Sequence, residues 1–124
     1  MKFLIMIYHN PESRKIWAEM SPEDQNLGLD AYEALDAALT ESGELIVSER
    51  LADPETARRV GVRDGKTIST DGPFAEVKEQ LAGFYLIECQ DAERATEIAG
   101  QIPEAFLGMI EVRPVMGLRG GPEM

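Results

Sequence analysis

Two short stretches are apolar on both of their alternating faces, and no other feature restricts the fold as much. In residues 2–8, Phe3, Ile5 and Ile7 alternate with Leu4, Met6 and Tyr8; in residues 83–89, Phe84 and Leu86 alternate with Tyr85 and Ile87. Successive strand side chains point to opposite sides of a sheet, so strands of this kind are covered on both. Material for that cover is scarce. One helix is predicted to start at Pro22, with Ser21 as its N-cap and Glu23 and Asp24 at the positive end of its dipole. Its apolar positions are Leu27, Ala31, Ala34, Leu35, Ala38 and Leu39, and Gly43 ends it. A second helix, capped by Asp91, carries Ala92, Ala95, Ile98, Ala99 and Ile102 and stops at Pro103.

Two further strands are predicted at residues 45–51 and 110–116. The latter contains Pro114, which has no N–H for a ladder and points to an edge position or a bulge. Residues 58–70 read as a hairpin turning at Asp64-Gly65, and residues 9–20 as a loop. The order is β-α-β, a hairpin, then β-α-β. That predicts an α+β, ferredoxin-like βαββαβ fold with an inserted β-hairpin. Both helices of such a fold lie on one face of the sheet. The simplest cover for the other is the same face of a second copy, so a homodimer or higher homo-oligomer is expected. A chain of 124 residues holds one domain, residues 1–117, with residues 118–124 as a flexible tail.

Charge narrows the partners. With 23 acidic against 12 basic residues the formal net charge is −11, which repels phosphate backbones and anionic lipids. No nucleic acid and no membrane is expected as a partner, whereas an anionic ligand in a locally basic pocket stays compatible. The longest apolar run, Phe3 to Tyr8, is too short to span a bilayer and reads as a strand rather than a leader. The single cysteine, Cys89, sits in an apolar strand and reads as a small buried hydrophobe. An internal disulfide is excluded, and a cytoplasmic location is expected. One histidine and scattered carboxylates show no metal-ligand spacing, and Gly117, Gly120 and Gly121 precede no helix. Neither a metal nor a cofactor is expected.

The chemistry, if any, gathers near Asp71-Gly72-Pro73-Phe74. Gly72 permits a φ that other residues resist, Pro73 fixes its own, and Asp71 can accept backbone N–H bonds across the turn. One reading is structural, with Phe74 folded back into the core and Asp71 bonded to backbone or to Arg113. The other aims the Asp71 carboxylate into a cleft as a general base or a ligand acceptor. Glu76, Lys78 and Glu79 follow as a solvated charge cluster or as the cleft's rim. Arg113 shares one face of the last strand with Glu111, either as a structural ion pair or as an anion-binding guanidinium. Tyr8 ends the first strand, where its hydroxyl can reach a polar cavity, and His9 follows as the chain's only histidine. The candidate proton handlers are therefore Asp71, Tyr8 and His9, and the candidate ligand contacts are Tyr8, Glu76, Lys78 and Arg113.

Asp71-Gly72-Pro73-Phe74-Ala75-Glu76, then Lys78-Glu79, Gly83-Phe84-Tyr85 and Glu111-Val112-Arg113-Pro114 occur in one order along the chain. By these residues, and by Tyr8 and the Arg63-Asp64-Gly65 turn, the sequence resembles the YCII-related family, in its DGPF-domain branch. The resemblance implies a dimeric α/β barrel and no settled activity. It suggests an association with extracytoplasmic-function sigma factors. The smaller relatives carry a histidine–aspartate pair proposed as an active site; here the one histidine stands at the end of the first strand instead of in the first helix. Three roles follow as expectations. One is a dimeric module that binds a small polar molecule or a regulatory partner. Another is a small-molecule enzyme using acid–base catalysis at a barrel-mouth cleft. The third is a sigma-factor-associated regulator.

Overall fold

In the computed structural model, residues 1–74 and 78–121 are described. The strands are β1 (Lys2–His9), β2 (Leu45–Arg50), β3 (Arg58–Arg63), β4 (Lys66–Asp71), β5 (Gln80–Glu88) and β6 (Ile110–Pro114). The helices are α1 (Pro11–Glu19), α2 (Pro22–Ser42) and α3 (Ala92–Gly100), with short 3-10 turns at Pro54–Thr56 and Pro103–Leu107. Four strands form one antiparallel sheet in the order β2-β5-β1-β6, while β3 and β4 pair only with each other. This is the ferredoxin-like order, with the two doubly apolar strands side by side in the middle.

Register shows how the faces divide. Leu4 lies opposite Leu86 and Arg113, and Met6 opposite Phe84 and Glu111. Those residues share one face, which α2 and α3 leave open. Phe3, Ile5 and Ile7 point the other way and form the core with Tyr85, Ile87 and Cys89, closed by Leu35 and Leu39 of α2 and Ala95, Ile98 and Ala99 of α3. Burying each aliphatic or aromatic side chain of this set stabilises the fold by about 1.5–3 kcal/mol relative to exposure.

The ends of α2 and α3 fall where their caps predict. Ser21 Oγ accepts from the Asp24 N–H, Gly43 closes α2 at φ 80°, and Asp91 Oδ1 accepts from the Arg94 N–H. Pro114 ends an edge strand, as its missing N–H requires. Two expectations are corrected. Residues 9–20 are not a loop: α1 runs through them, started by a reciprocal cap in which Asn10 Oδ1 accepts from the Ser13 N–H and Ser13 Oγ from the Asn10 N–H. The apolar stripe of α2 is also rotated. Leu27 is 66% exposed, and the inner face runs through Gly28, Tyr32, Leu35 and Leu39. Trp17 packs on this face, its ring so near Gly28 that a Cβ there would meet it at 3.3 Å.

Candidate functional site

Two polar groupings stand at the same end of the sheet, on opposite faces. The first is built on the helix side. His9 ends β1, and its Nε2 lies 3.4 Å from Glu104 Oε2, on the 3-10 turn after α3. The other carboxylate oxygen, Oε1, accepts from the Tyr32 hydroxyl of α2. One helical turn on, Asp36 Oδ1 accepts from the hydroxyl of Tyr85 of β5. Tyr32 and Asp36 are four residues apart, so they share one face of α2, above the sheet.

The protonation states of this group are strongly biased. Burial first, and then the hydrogen bond to Glu104, raises the Tyr32 hydroxyl far above the ordinary tyrosine value. Tyr85 is raised by the same two causes, with Asp36 as acceptor. Burial alone would raise Glu104, but hydrogen bonds from His9 and Tyr32 outweigh it and hold the carboxyl below its usual range. The result is a carboxylate fixed between a phenol and an imidazole that is still about one-third exposed (33%).

The second grouping is on the open face. The Tyr8 hydroxyl donates to Glu111 Oε1 at 3.1 Å and touches Met6 Sδ at 3.4 Å. Burial, then Glu111, raises Tyr8, while Arg113 and Glu79 are near enough to act on it in opposite senses. Alternation along β1 after Leu4 and Met6 places it there, next to a register shift between Ile7 and Tyr8. On the other side of β5, Gly83 lets β2 approach closely, since a Cβ at Gly83 would stand 2.8 Å from the Glu49 carbonyl oxygen. Beyond Tyr8 an open cleft of about 770 Å³ lies between the 3-10 turn at Pro54–Thr56, the base of β3 and the Pro73-Phe74 corner. Its walls include Tyr8, Asp53, Arg58, Arg59, Phe74 and Glu79.

The cleft and the strongly biased titratable group do not coincide, because His9 and Glu104 are absent from the cleft wall. For acid–base chemistry the helix-side group carries more weight, since burial and mutual hydrogen bonds move Tyr32, Tyr85 and Glu104 away from their ordinary values. The cleft carries more weight for ligand binding. Of the sequence candidates, Tyr8 is on the cleft and His9 in the helix-side group. Asp71 pairs in the ladder opposite Arg58 at the hairpin base and is exposed, and no bond joins it to Arg113 among the described residues. Lys78 and Arg113 are exposed and off the cleft wall. Glu76 lies outside the described residues. Among the described residues Arg113 forms no ion pair, and Glu111 accepts from the Tyr8 hydroxyl instead.

Phe74 is also corrected. It is 60% exposed instead of buried, because the hairpin has no core beneath it; its ring meets the Arg59 guanidinium at 5.7 Å from the centroid. The chain bends at Gly72 as its glycine suggested. Gly72 adopts φ 89°, and its N–H donates to the Ala57 carbonyl oxygen at 2.7 Å, closing the hairpin base. Sequence reasoning missed Glu104, Tyr32, Asp36 and Arg59. The signal available for Tyr32 and Asp36 was their i, i+4 spacing on a helix already predicted. Cys89 is a core residue whose thiol is raised by burial, as its apolar setting predicted. No cluster of three metal-ligating side chains and no helix long and apolar enough to cross a membrane occurs among the described residues.

The family model of the YCII-related domain matches residues 1–119. The chain belongs to the YCII-related family. A relative from Rhizobium meliloti (strain 1021), an uncharacterised protein, is 34% identical to this YCII-related chain over 117 residues, covering 93% of the chain and 92% of the relative. Among solved structures, the chain is similar to 5-chloro-2-hydroxyhydroquinone dehydrochlorinase (TftG) from Burkholderia phenoliruptrix AC1100, in its complex with 2,5-dihydroxybenzoquinone. That likeness covers 98% of this chain and 100% of the other at 17% identity and a TM-score of 0.46, which is too weak to carry residue roles across.

Proposed function

We propose that this YCII-related protein is a small-molecule enzyme of the acid–base type, with His9 as the proton acceptor and Glu104 as the residue that positions it. The observation that carries this reading is the His9–Glu104–Tyr32 arrangement. A carboxylate bonded to one imidazole nitrogen fixes the tautomer and leaves the other nitrogen for a substrate. Tyr32 occupies the second carboxylate oxygen and prevents Glu104 from swinging away. Imidazole is also the side chain that exchanges protons most readily near neutral pH.

A homodimer belongs to the same reading. Leu4, Met6, Phe84 and Leu86 line an open sheet face with no helix over it, and a second copy is the simplest cover. The reducing cytoplasm suits a chain whose one thiol is buried in the core.

The test is solvent-deuterium incorporation, followed by NMR, into a panel of small carbonyl compounds. Wild type should label at least one compound at a carbon next to the carbonyl. His9→Gln should slow labelling by roughly 10²–10⁴-fold, the usual share of a general base, and Glu104→Gln should slow it less. Labelling that survives His9→Gln unchanged, or no labelling of any compound, overturns the assignment.

A further inference from the structure

The cleft beyond Tyr8 holds an electrostatic irregularity that the His9 group does not explain. Acidic residues outnumber basic ones almost two to one in this chain. Yet the adjacent Arg58 and Arg59, both on the cleft wall, have no carboxylate at ion-pair distance among the described residues. Arg58 lacks one even though Asp71 stands across the ladder from it. The Arg59 Nε is shielded from solvent and has no hydrogen-bond partner among the described residues. A buried donor without a partner is costly and uncommon in native proteins.

The other walls restrict what could supply the partner. The Asp53 carboxylate on the rim is already engaged by Arg14 at 3.5 Å. Leu51, Pro54, Pro73 and Leu81 add apolar surface, and the Phe74 ring stands against the Arg59 guanidinium. At about 770 Å³ the cleft is within the range of small-molecule sites. Glu79, on the cleft wall and close enough to act on the Tyr8 hydroxyl, repels a second negative charge on the ligand.

We propose that this cleft binds a planar aromatic monocarboxylate, its carboxylate on the Arg59 guanidinium and its ring against Phe74. A guanidinium presents its N–H groups in a planar fork that matches a carboxylate, and no carboxylate of the chain competes for this one among the described residues. The aromatic ring gains apolar contact from the prolines and Leu81 and stacking from Phe74. Free phosphate lacks the ring, and a dicarboxylate meets Glu79. This assignment is independent of His9, which lies off the cleft wall, so either can fail alone.

Isothermal titration with benzoate, benzyl alcohol, phthalate and inorganic phosphate tests it. Benzoate should saturate the protein in the millimolar range or tighter, about 10 mM being the upper limit for a meaningful site of this size. Benzyl alcohol, phthalate and phosphate should each bind at least about tenfold more weakly, and His9→Gln should leave benzoate binding unchanged. Arg59→Gln keeps much of the stem and a donor while removing the charge, and should weaken benzoate at least about tenfold. Phe74→Leu should lower the preference for benzoate over cyclohexanecarboxylate. Circular dichroism confirms that each variant is folded. Absence of saturation by benzoate in wild type, equal affinity for benzyl alcohol, or wild-type affinity in folded Arg59→Gln overturns the proposal.

Discussion

The two faces of the sheet's His9 end obey different rules. On the helix side, each polar group of the cluster has a partner: His9 and Tyr32 share Glu104, and Tyr85 holds Asp36. On the open side, Arg59 keeps an unsatisfied donor, Phe74 is exposed and the hairpin stands apart from the main sheet. Adjacent residues of one strand, Tyr8 and His9, feed the two sides. Burial accounts for the contrast. Beneath helices, water cannot complete a hydrogen bond, so polar groups occur there only in matched sets. The cleft side lacks that matching: Arg58 is exposed to water, and the shielded Arg59 Nε has no partner among the described residues.

Core substitutions should separate the faces most sharply. Phe3, 1% exposed beneath the helices, should cost about 3–5 kcal/mol when changed to Ala, read from urea unfolding. Phe84, half-buried on the open face, should cost much less in the isolated subunit. Instead, Phe84→Glu should shift light scattering from at least twice 13.7 kDa toward the single-subunit mass. If wild type is a stable monomer at micromolar concentration, the open face is not an interface between copies.

Removing the shared acceptor comes next. Glu104→Leu leaves the Tyr32 hydroxyl buried without its partner, and a loss of about 1–3 kcal/mol is expected. Arg59→Gln on the open side should change stability by less than about 0.5 kcal/mol, since a partly exposed guanidinium there pairs with no carboxylate. Equal losses at the two sites would remove the distinction between a satisfied and an unsatisfied face.

The pH dependence is a finer probe of the same cluster. Glu104 is lowered on folding, so its contribution is present above the ordinary glutamate value of about 4.3 and is lost as pH falls through the lower folded value. Tyr32 and Tyr85 are raised, so theirs is present below about pH 10 and is lost as pH rises past it toward the folded values. Melting temperature followed from pH 3 to 11 should therefore fall at both ends. Glu104→Gln should flatten the acid arm, and Tyr32→Phe with Tyr85→Phe the alkaline arm. If neither arm changes in the variants, other groups govern both limits.

Much of the fold was legible because its determinants are local. Ser21, Gly43, Asp91 and the Asp64-Gly65 turn act within a few residues of themselves, and alternation in β1 and β5 marks the sheet's centre directly. The missed helix α1 also had a local signal, Asn10-Pro11 followed by Ser13, which a charged and apparently featureless stretch concealed. The candidate site was harder to read because it joins distant segments. His9 and Glu104 are 95 residues apart, and Tyr32 and Glu104 are 72 apart. No spacing rule connects such positions until the sheet order is known. Phe74 was misread for a related reason: an aromatic residue beside a turn looks like a core anchor unless one knows that its hairpin lies outside the core.

The smallest effect is expected at the position that looked most chemical in the sequence. Asp71 is exposed, its neighbour across the ladder is Arg58, and the bond that closes the hairpin base runs from the Gly72 N–H to the Ala57 carbonyl oxygen. The turn therefore depends on the left-handed Gly72 and not on the carboxylate beside it. Asp71→Ala should change stability by less than about 0.5 kcal/mol. Gly72→Ala should cost about 1 kcal/mol or more, because an alanine at φ 89° is strained whatever space surrounds it. Thermal denaturation of the two variants side by side decides the point. A larger loss from Asp71→Ala than from Gly72→Ala would mean that the carboxylate, rather than the backbone geometry, holds the corner on which Phe74 and the cleft depend.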